Sequence, residues 1–100
     1  MKLTTLKLVT LVIESVLEAQ VVATIKEAGA RGYTAVASAG EGSRGTRTGE
    51  IPGQNVRIET LVSAAVADKI MELVSARYFQ NYAVVCWVVD ASVLRGEKYV

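Results

Sequence analysis

The sequence predicts a single α+β domain in the order β-α-β, long loop, β-α-β, with a four-stranded antiparallel sheet and two helices on one of its faces. Three observations predict it. Two helix-period stripes, 17–28 and 66–74, are each flanked by β-type runs. One Gly-rich stretch, 39–55, separates the two halves. The chain has 100 residues, 51% of them hydrophobic, enough for one core and short of membrane composition. Two strand–helix–strand units in tandem build the split ferredoxin-like arrangement over residues 1–100.

Leu3 to Ile13 is rich in Leu, Val, Ile and Thr with no consistently polar face, the pattern of a central strand covered on most of its surface. Ser15 and Glu18 have capping-box spacing. A helix follows, with Leu17, Val21, Ile25 and Ala28 on one stripe and Gly29 placed for a left-handed cap. Tyr33 to Ser38 is a short strand leading straight into the long loop. After the loop, Val56, Ile58, Thr60 and Val62 alternate with Arg57, Glu59 and Leu61, so one face is buried and the other chemically mixed. Ser63 caps a second helix, whose Val66, Ile70, Leu73 and Val74 face inward. Tyr78 to Asn81 turns the chain, and Tyr82 to Asp90 reads as a nearly continuous apolar strand. The last ten residues, 91–100, carry mixed charge and fit an extra strand, a tail over a neighbour or a disordered end equally well. With both helices on one face, the apolar residues on the other face of the first and last strands call for cover by further subunits.

Composition excludes several functions. A formal net charge of +1 gives no long-range field toward nucleic acid or an anionic membrane. No histidine is present, which removes the usual general base and the commonest metal ligand. Cys86 is a lone thiol inside an apolar run, suited to burial and not to a disulfide or a metal cluster. Threonines, Lys7 and Glu14 interrupt the N-terminal apolar stretch where a signal peptide needs continuity, and no run reaches the length of a membrane span. The expected compartment is the cytoplasm. Glu59 and Asp90 read as strand-surface charges in place of a catalytic carboxylate pair, so no enzyme and no metal or cofactor is expected.

The long loop carries the chemistry. Gly40, Gly42, Gly45 and Gly49 allow a backbone nest of N–H groups, and Arg44 and Arg47 place guanidinium groups beside it, with Arg57 on the following strand in reserve. That combination suits a phosphate or another small anion, which Arg can grip bidentately. A Walker loop is excluded, since Gly42-Ser43-Arg44-Gly45 lacks the lysine and opens no helix. A Rossmann fingerprint fails for want of the third glycine and the following helix.

Three segments together resemble a known family. Gly29-Ala30-Arg31-Gly32-Tyr33-Thr34, then Gly40-x-Gly42-Ser43-Arg44, and Tyr78-Phe79-Gln80-Asn81-Tyr82-Ala83 before the last strand are similar to the PII-like signalling proteins. Within them the bicarbonate-linked branch is nearest, the SbtB proteins and the carboxysome-associated PII protein. The resemblance implies a homotrimer of ferredoxin-like protomers, with adenine nucleotide in the clefts between subunits and 39–55 as the T-loop. It implies Gly32 and Thr34 near adenine or ribose, and Gly40, Gly42, Ser43 and Arg44 around phosphate. Glu59 and Leu61 would line the adenine side, and Asn81, Tyr82 and Ala83 would stand at the second phosphate-side loop. Bicarbonate would meet Gly42, Ser43, Arg44 and Arg47, with Arg57 in reserve.

The nitrogen-signalling members carry a Gly-Asp-Gly-Lys turn and an Arg-x-Arg tail that grip a triphosphate. Both are absent here, which favours ADP or AMP. The expected function is a non-enzymatic sensor of inorganic carbon and energy status, with a bicarbonate transporter or carboxysome-related protein as partner through the T-loop. A nucleotide-binding trimer without bicarbonate sensing, a small phosphohydrolase and a plain assembly module are the competing readings.

Overall fold

A computed structural model describes residues 1–39 and 54–100. Strand β1 spans Thr4–Glu14, helix α1 Glu18–Ala28, β2 Thr34–Ser38, β3 Asn55–Val62, α2 Ala64–Tyr78 and β4 Val85–Val93. Short 3-10 turns occupy Ser15–Leu17 and Gly96–Tyr99. The sheet order is β2-β3-β1-β4 with every neighbouring pair antiparallel, the ferredoxin-like arrangement, and β1 is central as its two-sided apolar sequence requires.

Register decides the faces. Val9, Leu11 and Ile13 lie opposite Thr60, Ile58 and Val56, and residues directly opposite across a pair share a face. Val9, Leu11, Ile13, Val56, Ile58 and Val62 form one core with Val21 and Ile25 of α1 and Ile70 and Val74 of α2, which places both helices against this face. Full burial of each such side chain contributes roughly 1.5–3 kcal/mol. Truncating fully buried Leu11 to alanine would cost about 2–5 kcal/mol.

Both helix boundaries marked by Gly29 and Ser63 are as the sequence predicts. Gly29 has φ of 119°, and its N–H bonds back to the Ile25 and Lys26 carbonyls. A Cβ there would stand 3.1 Å from Cγ2 of Val66 in a backbone state that other residues resist, a cost of about 1–2 kcal/mol for Gly29→Ala. Ser63 Oγ accepts from the Val66 N–H at 3.2 Å.

Three expectations need correction. The capping box at Ser15 and Glu18 does not form. β1 runs on through Glu14, so a 3-10 turn drops Leu17 into the core, and helix α1 begins at Glu18 with no side-chain cap. Ser15 instead ties the end of β1 to the residue before β3, its N–H bonding the Gln54 carbonyl at 3.0 Å and its hydroxyl donating to Gln54 Oε1 at 3.4 Å. The last strand begins at Val85 and not Tyr82, because the N–H groups of Asn81 and Tyr82 both bond the Tyr78 carbonyl and prolong the turn. It also extends to Val93, pairing with Thr4, so 91–93 belong to the sheet. The rest of the tail folds back. Arg95 adopts φ of 58°, and Gly96 packs so close to Thr4 that a Cβ would lie 2.5 Å from the threonine Cβ.

Candidate functional site

The sheet face away from the helices carries the predicted ligand residues of β2 and β3. The pairings set them in rows. Thr34 lies opposite Glu59, Glu59 opposite Thr10, and Thr10 opposite Trp87, one row across all four strands. Beside it run Val36, Arg57, Val12 and Val85, and on the other side Leu61, Leu8 and Val89. Four large apolar side chains of this face remain open in the protomer: Val36, Val85, Trp87 and Val89 are between 40% and 53% exposed.

Glu59 is held from two sides. Arg57 Nη2 donates to its Oε2 at 3.1 Å, and the buried Thr10 hydroxyl donates to the same oxygen at 3.4 Å. The pair is about half open to water, so it orients the carboxylate more than it stabilises the fold. Arg57, predicted as a reserve anion contact, therefore already has a carboxylate partner.

From the helix side of β3, Thr60 donates to the Gly32 carbonyl at 2.6 Å and fixes the approach to β2. The Lys26 ammonium lies 5.8 Å from the centre of the Tyr33 ring and holds the same segment to α1. Gly32 has neither a left-handed backbone nor a neighbour within 4 Å of where its Cβ would be, so nothing in its own protomer requires glycine there.

Asn81, Tyr82 and Ala83 lie in the turn between α2 and β4. Asn81 and Tyr82 are exposed and Ala83 is half-buried. Because β4 is the sheet edge opposite β2, three strand spacings or about 14 Å separate the two edges. The protomer therefore brings Gly32, Thr34, Glu59 and Leu61 together and leaves Asn81–Ala83 apart from them. The turn does share one end of the sheet with the roots of the long loop, since Val85 pairs with Val12 while Ser38 and Glu14 both pair with Asn55. Gly40, Gly42, Ser43, Arg44 and Arg47 lie outside the described residues.

The hydrogen-bonding roles of four hydroxyl residues escaped the sequence reading. Thr10, Thr24, Thr60 and Tyr78 are all at most 5% exposed and hydrogen-bonded. The available signal was a threonine set inside an apolar strand or stripe, where burial demands a partner. Thr24 is the richest of these. Its hydroxyl lies 3.1 Å from the Gln20 carbonyl, 2.8 Å from the Tyr78 hydroxyl and 3.3 Å from Arg77 Nη1, while Arg77 also grips Glu27 with two hydrogen bonds. Those hydrogen bonds and the Arg77 charge hold the Glu27 carboxyl below its usual value.

Cys86 sits on the helix side of β4 with its Sγ 3.2 Å from Met71 Sδ, and burial pushes the thiol up to about 11. Among the described residues no group of His, Cys, Asp or Glu could hold a metal ion, and no helix is long and apolar enough to cross a membrane. An open depression lined by Lys2, Thr4, Arg95, Gly96, Glu97 and Val100 lies at the far end of the sheet from the loop roots and includes none of the predicted site residues.

Residues 6–98 match the family model of the nitrogen regulatory protein P-II. The chain belongs to the P-II family. Among solved structures of P-II type, it is similar to a PII-like signalling protein of Thermus thermophilus, at 50% identity over 100% of both chains with a TM-score of 0.86. It is also similar to CPII of Thiomonas intermedia bound to ADP and bicarbonate, at 26% identity over 99% of this chain and 98% of that one, with a TM-score of 0.86. A further CPII structure, bound to ADP, AMP and bicarbonate, matches at 25% identity over 98% and 96% of the two chains, with a TM-score of 0.84.

Proposed function

We propose that this P-II protein is a non-enzymatic regulatory sensor that binds ADP or AMP together with bicarbonate in the clefts between subunits of a homotrimer. Its T-loop, 39–55, then reports inorganic-carbon and energy status to a partner, a bicarbonate transporter or carboxysome-related protein in the cytoplasm. The observation that carries this reading is the end-to-end similarity to CPII, a protein solved with ADP and bicarbonate bound.

Features of the protomer support it. Thr34, Glu59 and Leu61 lie at the β2 side of the open face with Gly32 at the approach to β2, while Asn81–Ala83 lie in the turn that leads into the other edge strand, β4. A cleft lined by both groups needs two copies of the chain. The exposed Val36, Val85, Trp87 and Val89 give those copies an apolar face to bury. The bare surroundings of Gly32 leave room for a ligand or a neighbouring backbone to approach closely.

The physical logic is linkage. A nucleotide phosphate occupies one side of a positive pocket and bicarbonate fills the other, with Gly40, Gly42, Ser43, Arg44 and Arg47 as the proposed contacts to both anions. Arg57 adds its charge from the sheet. Each ligand then tightens the other by the same factor. Calorimetric titration of ADP with and without bicarbonate tests this, alongside sedimentation to determine subunit number. A trimer whose ADP affinity rises several-fold with bicarbonate is expected. A monomer, or a chain that binds no adenine nucleotide, would overturn the proposal. Binding with no bicarbonate coupling would reduce it to a nucleotide sensor.

A further inference from the structure

We propose that Tyr78 is a positioning residue for the nucleotide site, holding the Asn81–Ala83 turn to helix α1 through a hydroxyl node at Thr24. The inference rests on the nucleotide reading above and concerns residues that touch no ligand. Tyr78 is the last residue of α2, and only 5% of it is exposed.

Hydrogen-bond capacity fixes the direction of the node. A threonine hydroxyl has one proton and two lone pairs. The Gln20 carbonyl can only accept, so the Thr24 proton goes to it. Arg77 can only donate and takes one lone pair. The remaining lone pair faces the Tyr78 hydroxyl at 2.8 Å, which must therefore be the donor. Thr24 is saturated and Tyr78 points one way.

The same residue holds the turn at its other end. Its carbonyl accepts the N–H groups of Tyr82 at 2.9 Å and Asn81 at 3.3 Å, and its ring meets the Tyr82 ring at 6.1 Å between centres with a 60° tilt. Side chain and backbone of one residue thus connect the turn to α1. Removing the Tyr78 proton donor frees the end of α2 to rotate, and the turn moves with it. Since Asn81, Tyr82 and Ala83 lie on the ligand side in the proposed cleft, a small displacement there separates donors from the anion they meet.

The test uses the full chain and four variants. ADP is first titrated into the unaltered protein. Absence of binding would defeat the nucleotide reading and this inference with it. Given binding, Tyr78→Phe and Thr24→Val each remove one partner of the node while keeping the side-chain volume. Each is expected to raise the ADP dissociation constant about three- to tenfold. Each should also speed hydrogen exchange at the Asn81 and Tyr82 amides tenfold or more, with the Val74 amide in the core of α2 unchanged. The double variant should be no weaker than the worse single one, and Thr24→Ser should restore the unaltered behaviour. Unchanged ADP affinity in both single variants, or a loss that tracks exchange at Val74 and is not rescued by serine, would overturn the positioning role.

Discussion

Arg57 and Glu59 lie two positions apart on the open face of β3, and the guanidinium donates to the same carboxylate oxygen, Oε2, that the Thr10 hydroxyl reaches from the neighbouring strand β1. Among the described residues no hydrogen bond is made to Oε1, an acceptor that a nucleotide in the proposed cleft could use. If a nucleotide donates to it, Glu59→Ala should weaken ADP by about 1.5–3 kcal/mol, the usual worth of a charged hydrogen bond. Arg57→Ala removes only a half-exposed orienting pair and should change ADP affinity by less than about 1 kcal/mol while lowering the bicarbonate enhancement. Paired titrations of the two variants check this, and equal losses of ADP affinity would contradict it.

Arg44 belongs to the glycine-rich stretch outside the described residues, and its proposed phosphate contact rests on the sequence. A guanidinium can grip phosphate bidentately as no neutral side chain can. Arg44→Ala is expected to cost about 1.5–3 kcal/mol in nucleotide binding, measured by calorimetry, with the melting temperature of the unliganded protein unchanged.

Thr60 supports the approach to β2 from the opposite side of the sheet. Thr60→Val keeps the shape and deletes the 2.6 Å bond to the Gly32 carbonyl. A loss of about 1 kcal/mol in urea unfolding is expected, with amide exchange accelerating in β2 before the rest of the sheet. Uniform acceleration across all four strands would show that the bond does not act locally.

Cys86 makes stability depend on pH in one direction. Its folded pKa, raised by burial to about 11, lies above the ordinary thiol value. The neutral thiol's contribution is fully present below the unfolded pKa and is lost as pH rises from there through the folded value. At pH 8 about one thiol in a thousand is ionised in the folded chain. Alkylation should be slow at that pH and rise roughly tenfold per unit to about pH 11. Cys86→Ala should flatten the alkaline part of the stability profile.

Much of the fold was legible because it is written in local patterns. The central place of β1 followed from apolar residues on both faces, and the stops at Gly29 and Ser63 followed from cap chemistry. The capping box at Ser15 failed for a tertiary reason: Gln54, 39 residues away, takes the Ser15 hydroxyl, and the intervening turn is 3-10. Tyr82 joined the wrong element because its β-type composition is overridden by a bond to the Tyr78 carbonyl. Of the candidate site, Thr34 and Glu59 could be named from motif resemblance, but their common row with Thr10 and Trp87 exists only once the register is known. The Thr24–Tyr78 node spans 54 positions and leaves no periodic trace in the sequence.

Thr4 and Val93 stand opposite each other at one end of the sheet, and the loop roots at Ser38 and Asn55 stand at the other. A fluorophore, surface tether or fused reporter attached at residue 1 or 100 would thus emerge at the end of the sheet away from the loop roots, clear of the proposed T-loop. Joining those two neighbouring ends by a short linker and reopening the backbone elsewhere would carry the proposed nucleotide response into a permuted probe.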